Sequence, residues 1–117
     1  MNPSGFSGLM MPQLDEINIT YANSDFYVIA IPADNRNGGI ELAHLQLGNR
    51  WNKEVRIHPN ELLTPGSYTL LMMGYGANGC SRFEGRLNLD GNMVPFHGSS
   101  AKGSGVAYAE SIEFTVS

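Results

Sequence analysis

The feature that most constrains this chain is a two-residue rhythm of apolar and polar side chains. It recurs in short segments from residue 17 to residue 116. Ile17, Ile19 and Tyr21 alternate with Asn18 and Thr20, and Phe83, Leu87 and Leu89 punctuate a polar run. Val106 and Tyr108, then Ile112, Phe114 and Val116, do the same near the end. Alternate side chains of an extended strand point to opposite faces, so such segments are half-buried strands. Tyr68 to Met73 reads as the central strand, and the unbroken apolar run Phe26–Ile31 reads as a strand buried on both faces.

Turn chemistry separates the segments. Asn23-Ser24-Asp25, the ADNRNGG stretch over 33–39, Gly48-Asn49-Arg50, the GYGANG stretch over 74–79, Asp90-Gly91 and the polar HGSSAKGSG stretch over 97–105 are loop or turn sequences. Asp90-Gly91 predicts a tight hairpin returning through Met93–Phe96, and Pro95 puts that arm at a sheet edge. The apolar phase switches between Ile40/Leu42 and Leu45/Leu47, which predicts a bulge near Ala43-His44. Trp51, Lys53, Val55 and Ile57 alternate as another strand. Pro59–Leu63 reads as one helical turn, stopped by Thr64-Pro65-Gly66. The expected fold is therefore all-β: an antiparallel sandwich of about 7–9 short strands with one short helical turn near residues 59–63.

Composition agrees. Gly is abundant (14 of 117) and charged residues make up only 15%, against a typical ~25%. At this length one core can remove roughly two thirds of the unfolded surface from water. Residues 1–13, rich in Gly, Ser, Pro and Met, are expected to form a flexible or docking arm, and 14–117 a single domain. The net charge is −4, and the seven basic residues form no run, which argues against nucleic acid as a partner. Residues 1–12 hold no Lys or Arg and no long apolar stretch, so no signal peptide is expected. No segment is long and apolar enough for a transmembrane helix. A cytoplasmic home and export by another route both stay open. Cys80 is the single cysteine, so no disulfide can close within the chain.

The segment Leu63-Thr64-Pro65-Gly66-Ser67-Tyr68 resembles the L-x-P-G-x-Y approach to a core strand in immunoglobulin-like and fibronectin-III-like sandwiches. That resemblance implies a tyrosine corner: the ring packs inside and its hydroxyl bonds backbone upstream. The paired cysteines of that family are absent. A second likeness, from Phe26 to the FEGRLNL segment at 83–89, is to the aegerolysins. It implies a small sandwich that binds membrane lipid. The aromatic-rich segment that follows there is replaced here by Met93–Gly98, which has no Trp.

The chemistry-bearing residues do not spell an enzyme. His44, His58 and His97 lie far apart in sequence and fit no metal-ligand spacing. Ser99-Ser100 lacks a nucleophile elbow, and a lone cysteine is ordinarily an inert core residue. No resident cofactor is expected. Calcium has the best donor set, with Asp34, Asn35 and Asn37 in one loop and Asp90 in another. The Asn-Gly and Asp-Gly pairs are first of all turn residues.

What remains is a recognition surface. Trp51 stands beside Asn49, Arg50 and Asn52, and Tyr75 and Asn78 lie in a Gly-rich stretch before Arg82. An aromatic face covers the C–H face of a sugar, and amides take its hydroxyls. Lipid headgroups are held by the same chemistry. The leading expectation is a non-enzymatic module binding carbohydrate or a membrane-surface lipid headgroup through loops at one end. The alternative is an assembly protein that forms a homo-oligomer or docks a partner through its arm and an edge strand.

Overall fold

A computed structural model describes residues 11–34, 38–45, 54–76, 81–100 and 105–117. Its elements are β1 (Leu14–Ala22), β2 (Phe26–Pro32), β3 (Ile40–Leu45), β4 (Val55–Ile57), α1 (Pro59–Leu62), β5 (Gly66–Gly76), β6 (Ser81–Leu89), β7 (Asn92–Ser100) and β8 (Gly105–Val116). They form two four-stranded antiparallel sheets, ordered β4-β1-β6-β7 and β3-β2-β5-β8. The β-sandwich expected from the two-residue rhythm is what the chain adopts.

Inward side chains of both sheets meet in one apolar core. Phe26 is its hub. The Phe26 ring stacks on Phe83 (centroids 5.2 Å apart), Phe96 (6.1 Å) and Tyr108 (6.2 Å). Room for these rings comes from strand glycines. A Cβ on Gly74 would stand 2.5 Å from the Phe83 ring, and one on Gly98 would collide with Tyr108. At the other end Tyr68 stacks on Phe114 at 5.5 Å. The Tyr68 hydroxyl donates to the Thr64 carbonyl at 2.6 Å, the bond an arching chain and a buried phenol both need.

Turn chemistry acts where the sequence places it. Asp90 (φ 54°) and Gly91 (φ 84°) both take left-handed backbone and close β6 onto β7 with Leu89 opposite Asn92. Pro59 opens α1. Pro95 lies on β7, an edge strand. The expected bulge in β3 falls at Leu42, where the register with β2 slips between Val28 and Ile29.

Other expectations need correction. Residues 97–100 are not loop: β7 continues through them, paired to β6 as far as Ser81–Ser100. Likewise β5 runs on to Gly76, and Gly74 is a buried strand residue under Phe83. Cross-strand pairing of the backbone outweighed the turn preference of these Gly and Ser residues. Tyr21 does not share a face with Ile17 and Ile19. The β1–β6 register slips between Ile19 and Tyr21, so Ala22 turns inward and Tyr21 outward. β2 is not covered on both sides: Phe26, Val28 and Ala30 are buried, while Tyr27, Ile29 and Ile31 are only half-buried. Trp51 and Lys53, expected in the strand that ends at Ile57, lie outside the described residues.

Just before β1 the chain is tied down. The Pro12 carbonyl accepts from the Thr115 amide at 2.9 Å, and Gln13 bridges Thr115 in parallel. The Gln13 amide donates to Asp90 Oδ1 at 2.9 Å. No helix among the described residues is long and apolar enough to cross a membrane.

Candidate functional site

The pairings fix which connections share an end. Leu45, the last residue of β3, sits opposite Phe26, the first of β2. Gly74 sits opposite Phe26 from the other side, and Ser81 opposite Ser100. The β1–β2 turn and the flanks of segments 46–53, 77–80 and 101–104 therefore gather at one end. Of the expected ligand residues, Asn49, Arg50, Trp51, Asn52 and Asn78 fall in these segments, outside the described residues. Tyr75 and Arg82 are described.

Tyr75 and Arg82 stand on different sheets. Tyr75 points out from β5, 37% exposed, and meets the ring of Tyr27 edge-on at 5.9 Å. Tyr27 in turn stacks on His44 of β3, 4.0 Å between centroids and 15° between planes. The strand registers explain the row, since Tyr27 lies directly opposite both His44 and Met73. The amide of Tyr75 donates to the Asp25 carbonyl at 2.9 Å, fixing its backbone to the β1–β2 turn. His44 Nε2 is buried with no hydrogen-bond partner.

Arg82 lies on the outer face of the other sheet. Its guanidinium sits over the Tyr21 ring, 4.2 Å from the centroid, and its Nε is 3.2 Å from Glu84 Oε2. Its amide donates to Asn23 Oδ1 at 2.7 Å. The bulge that turns Tyr21 outward thus supplies the ring beneath Arg82.

The same outer face carries a polar lattice that sequence reasoning missed. Glu54 Oε2 accepts from Asn18 Nδ2 at 2.6 Å and from Arg56 at 3.1 Å, with Arg86 3.6 Å away. The Asn18 hydrogen bond first, then the Arg56 charge, hold the Glu54 carboxyl below the usual carboxylate range. Glu16 lies 3.4 Å from His58 and 3.8 Å from Arg56. Asn18 is only 2% exposed, and its Oδ1, like that of Asn88, is buried without a partner. The alternation of residues 16, 18, 84, 86 and 88 was the signal available in the sequence. It marks an outer face, and strand register alone brings these side chains into rows.

Of the expected cation ligands, Asp90 Oδ1 is engaged by the Gln13 amide, and Asp34 is exposed just beyond the end of β2. Asn35 and Asn37 lie outside the described residues. No group of three or more His, Cys, Asp or Glu able to hold a metal occurs among the described residues. Of the histidines, His44 is in the aromatic row, His58 pairs with Glu16, and His97 faces outward on β7. Cys80 is outside the described residues.

Two clefts lie at the end away from the aromatic row. One, of about 490 Å³, has Met11, Ile31, Thr69 and Glu113 among its walls. The other, of about 550 Å³, is bounded by Asp34, Ile40, Thr64 and Gly66.

No protein-family description, curated protein or solved structure matches the chain.

Proposed function

We propose that this chain is a non-enzymatic binding domain that recognises carbohydrate at the loop-bearing end of its sandwich. The observation that carries this reading is the outward aromatic row His44–Tyr27–Tyr75, beside the flanks of segments 46–53 and 77–80. Those segments bring Asn49, Arg50, Trp51, Asn52 and Asn78 in sequence. The exposed ring of Tyr75 offers an apolar surface to sugar C–H groups, and the amides of Asn49, Asn52 and Asn78 are of the kind that takes the hydroxyls. Arg82 contributes less on this reading, because its guanidinium is already held by Tyr21 and Glu84. Lipid headgroups ask for similar chemistry, but a net charge of −4 disfavours an anionic membrane surface.

A glycan array probed with the whole chain tests the proposal. Tyr75→Ala and Trp51→Ala should each weaken the best binder at least tenfold, about 1.4 kcal/mol, with the β-sheet circular dichroism unchanged. Capture by phosphatidylcholine/phosphatidylserine vesicles with no glycan bound would replace carbohydrate with a lipid headgroup.

A second reading, assembly, is favoured by a different observation. The outward residues of the β3-β2-β5-β8 sheet include Ile29, Ile31, Leu71 and Met73, half-buried where a solvated face would carry polar side chains. Sedimentation of the whole chain across a concentration series reads this directly.

A further inference from the structure

The outer face of the β3-β2-β5-β8 sheet is a run of cross-strand rows, apolar along β2 and β5 and flanked by Glu41 opposite Ile29 on β3. Ile31 lies opposite Thr69, Ile29 opposite Leu71, and Tyr27 opposite Met73. On the far side of β5 the same rows continue into Glu113, Ser111 and Ala109. An antiparallel sheet with one face on the core ordinarily turns polar residues to water on the other. Among the described residues, Gly39 and Met11 both cover its Ile31 end, and His44 stacks on Tyr27 at the other. Gly39 packs against Ile29 so closely that a Cβ would stand 2.9 Å from its Cγ2. Met11 walls a cleft together with Ile31, Thr69 and Glu113.

Met11 is where the described chain begins, and it begins on this face. The Pro12 and Gln13 backbone is anchored to Thr115 at the edge of the sheet. The ten preceding residues, MNPSGFSGLM, carry no charged side chain and supply Phe6, Leu9 and Met10. Ten extended residues reach roughly 33–36 Å. The apolar rows from Thr69 to Tyr75 span about 20 Å at ~3.3 Å per residue. Reach and chemistry therefore both match, and the tether at Met11 gives the segment a high effective concentration over this surface.

We propose that residues 1–10 lie as a strap across the outer face of their own β3-β2-β5-β8 sheet, covering Ile29, Leu71 and Met73. The strap uses the same apolar face as the assembly reading, but it requires only one chain. Its removal uncovers a hydrophobic surface suited to a second copy.

The test is paramagnetic relaxation in the whole chain. A nitroxide is placed at Phe6→Cys in a Cys80→Ser background, with Ile, Leu and Met methyls isotope-labelled. Signals of Ile29, Leu71 and Met73 should broaden strongly, independent of dilution, while Ile57 and Leu62 broaden far less. Unbroadened Ile29, Leu71 and Met73 would overturn the proposal. So would broadening seen only between a spin-labelled chain and a separate isotope-labelled one, which would put the segment on a second copy. A second measurement needs no cysteine. A variant beginning at Met11 should keep its β-sheet spectrum, bind an apolar dye several-fold more strongly and self-associate. Unchanged dye binding and mass would overturn the strap. The mass of the whole chain separates the two ideas: a monomer with intrachain broadening supports the strap and refutes assembly by the intact chain.

Discussion

The hydroxyl of Tyr68 donates to the carbonyl of Thr64, four residues back, at 2.6 Å, while its ring stacks on Phe114. One side chain thus closes the arch between α1 and β5 and also fills the core beneath it. Tyr68→Phe keeps the ring and removes the bond. It should lower stability by about 0.5–1.5 kcal/mol, the usual net worth of a hydrogen bond. The check is a urea unfolding curve, in which the midpoint should fall with the slope unchanged.

The seat of Phe83 is formed by Gly74. A methyl group there would stand 2.5 Å from the ring, with the sheets holding both backbones in place. Gly74→Ala should cost about 1–3 kcal/mol by overpacking. Combining it with Phe83→Leu should return part of the loss, giving a non-zero coupling in a double-mutant cycle. Strict additivity would mean that the two sites do not share the space.

Acid sensitivity should trace to Glu54. Its carboxyl is held below the usual range by Asn18 and then Arg56, so the folded state takes up this proton less readily than the unfolded chain. The resulting stability is present above the ordinary glutamate value and is lost as pH falls through the lowered folded value. Glu54→Gln should flatten the acid limb of a stability–pH profile. The checking measurement is a set of urea midpoints taken down the acid range. Identical limbs for both proteins would assign acid unfolding to other carboxyls.

Tyr108 should resist ionisation in the native protein. Burial, then its hydrogen bond to Glu110 at 2.5 Å, push its phenol well above the ordinary tyrosine value. In an alkaline spectrophotometric titration Tyr108 should ionise only as the protein unfolds, and Tyr108→Phe should lower the late absorbance change by one tyrosine.

Much of the architecture was legible because burial writes a period of two into a sequence. Leu70, Phe83 and Phe114 could be placed inside from spacing alone, and Asp90-Gly91 named its own turn. The misreadings came from residues whose local preference and tertiary setting disagree. Gly74 looks like loop because glycine suits loops, yet its place is set by the ring of Phe83. Tyr21 carries the right period but sits beyond a register slip that no local pattern announces. The candidate site was less legible still. Tyr75 could be named from its composition-rich neighbourhood, whereas Tyr27 and His44 looked like strand residues. Only cross-strand register brings them together, and register is a property of two distant segments.

The order in which the strands fall into the two sheets bears on how the chain folds. β2 and β3 are sequential neighbours in one sheet, as are β6 and β7 in the other. β1 pairs β4 but has its second partner only in β6, and β5 pairs β2 but has its second partner only in β8. Most of the native contacts thus join distant parts of the chain, so loop-closure entropy must be spent before any core forms, and folding should take milliseconds to seconds. The β6–β7 hairpin, closed by two residues, is the cheapest nucleus available. Until the last twelve-residue strand arrives, the open flank of β5 is the stretch that a chaperone or a neighbouring chain would find first.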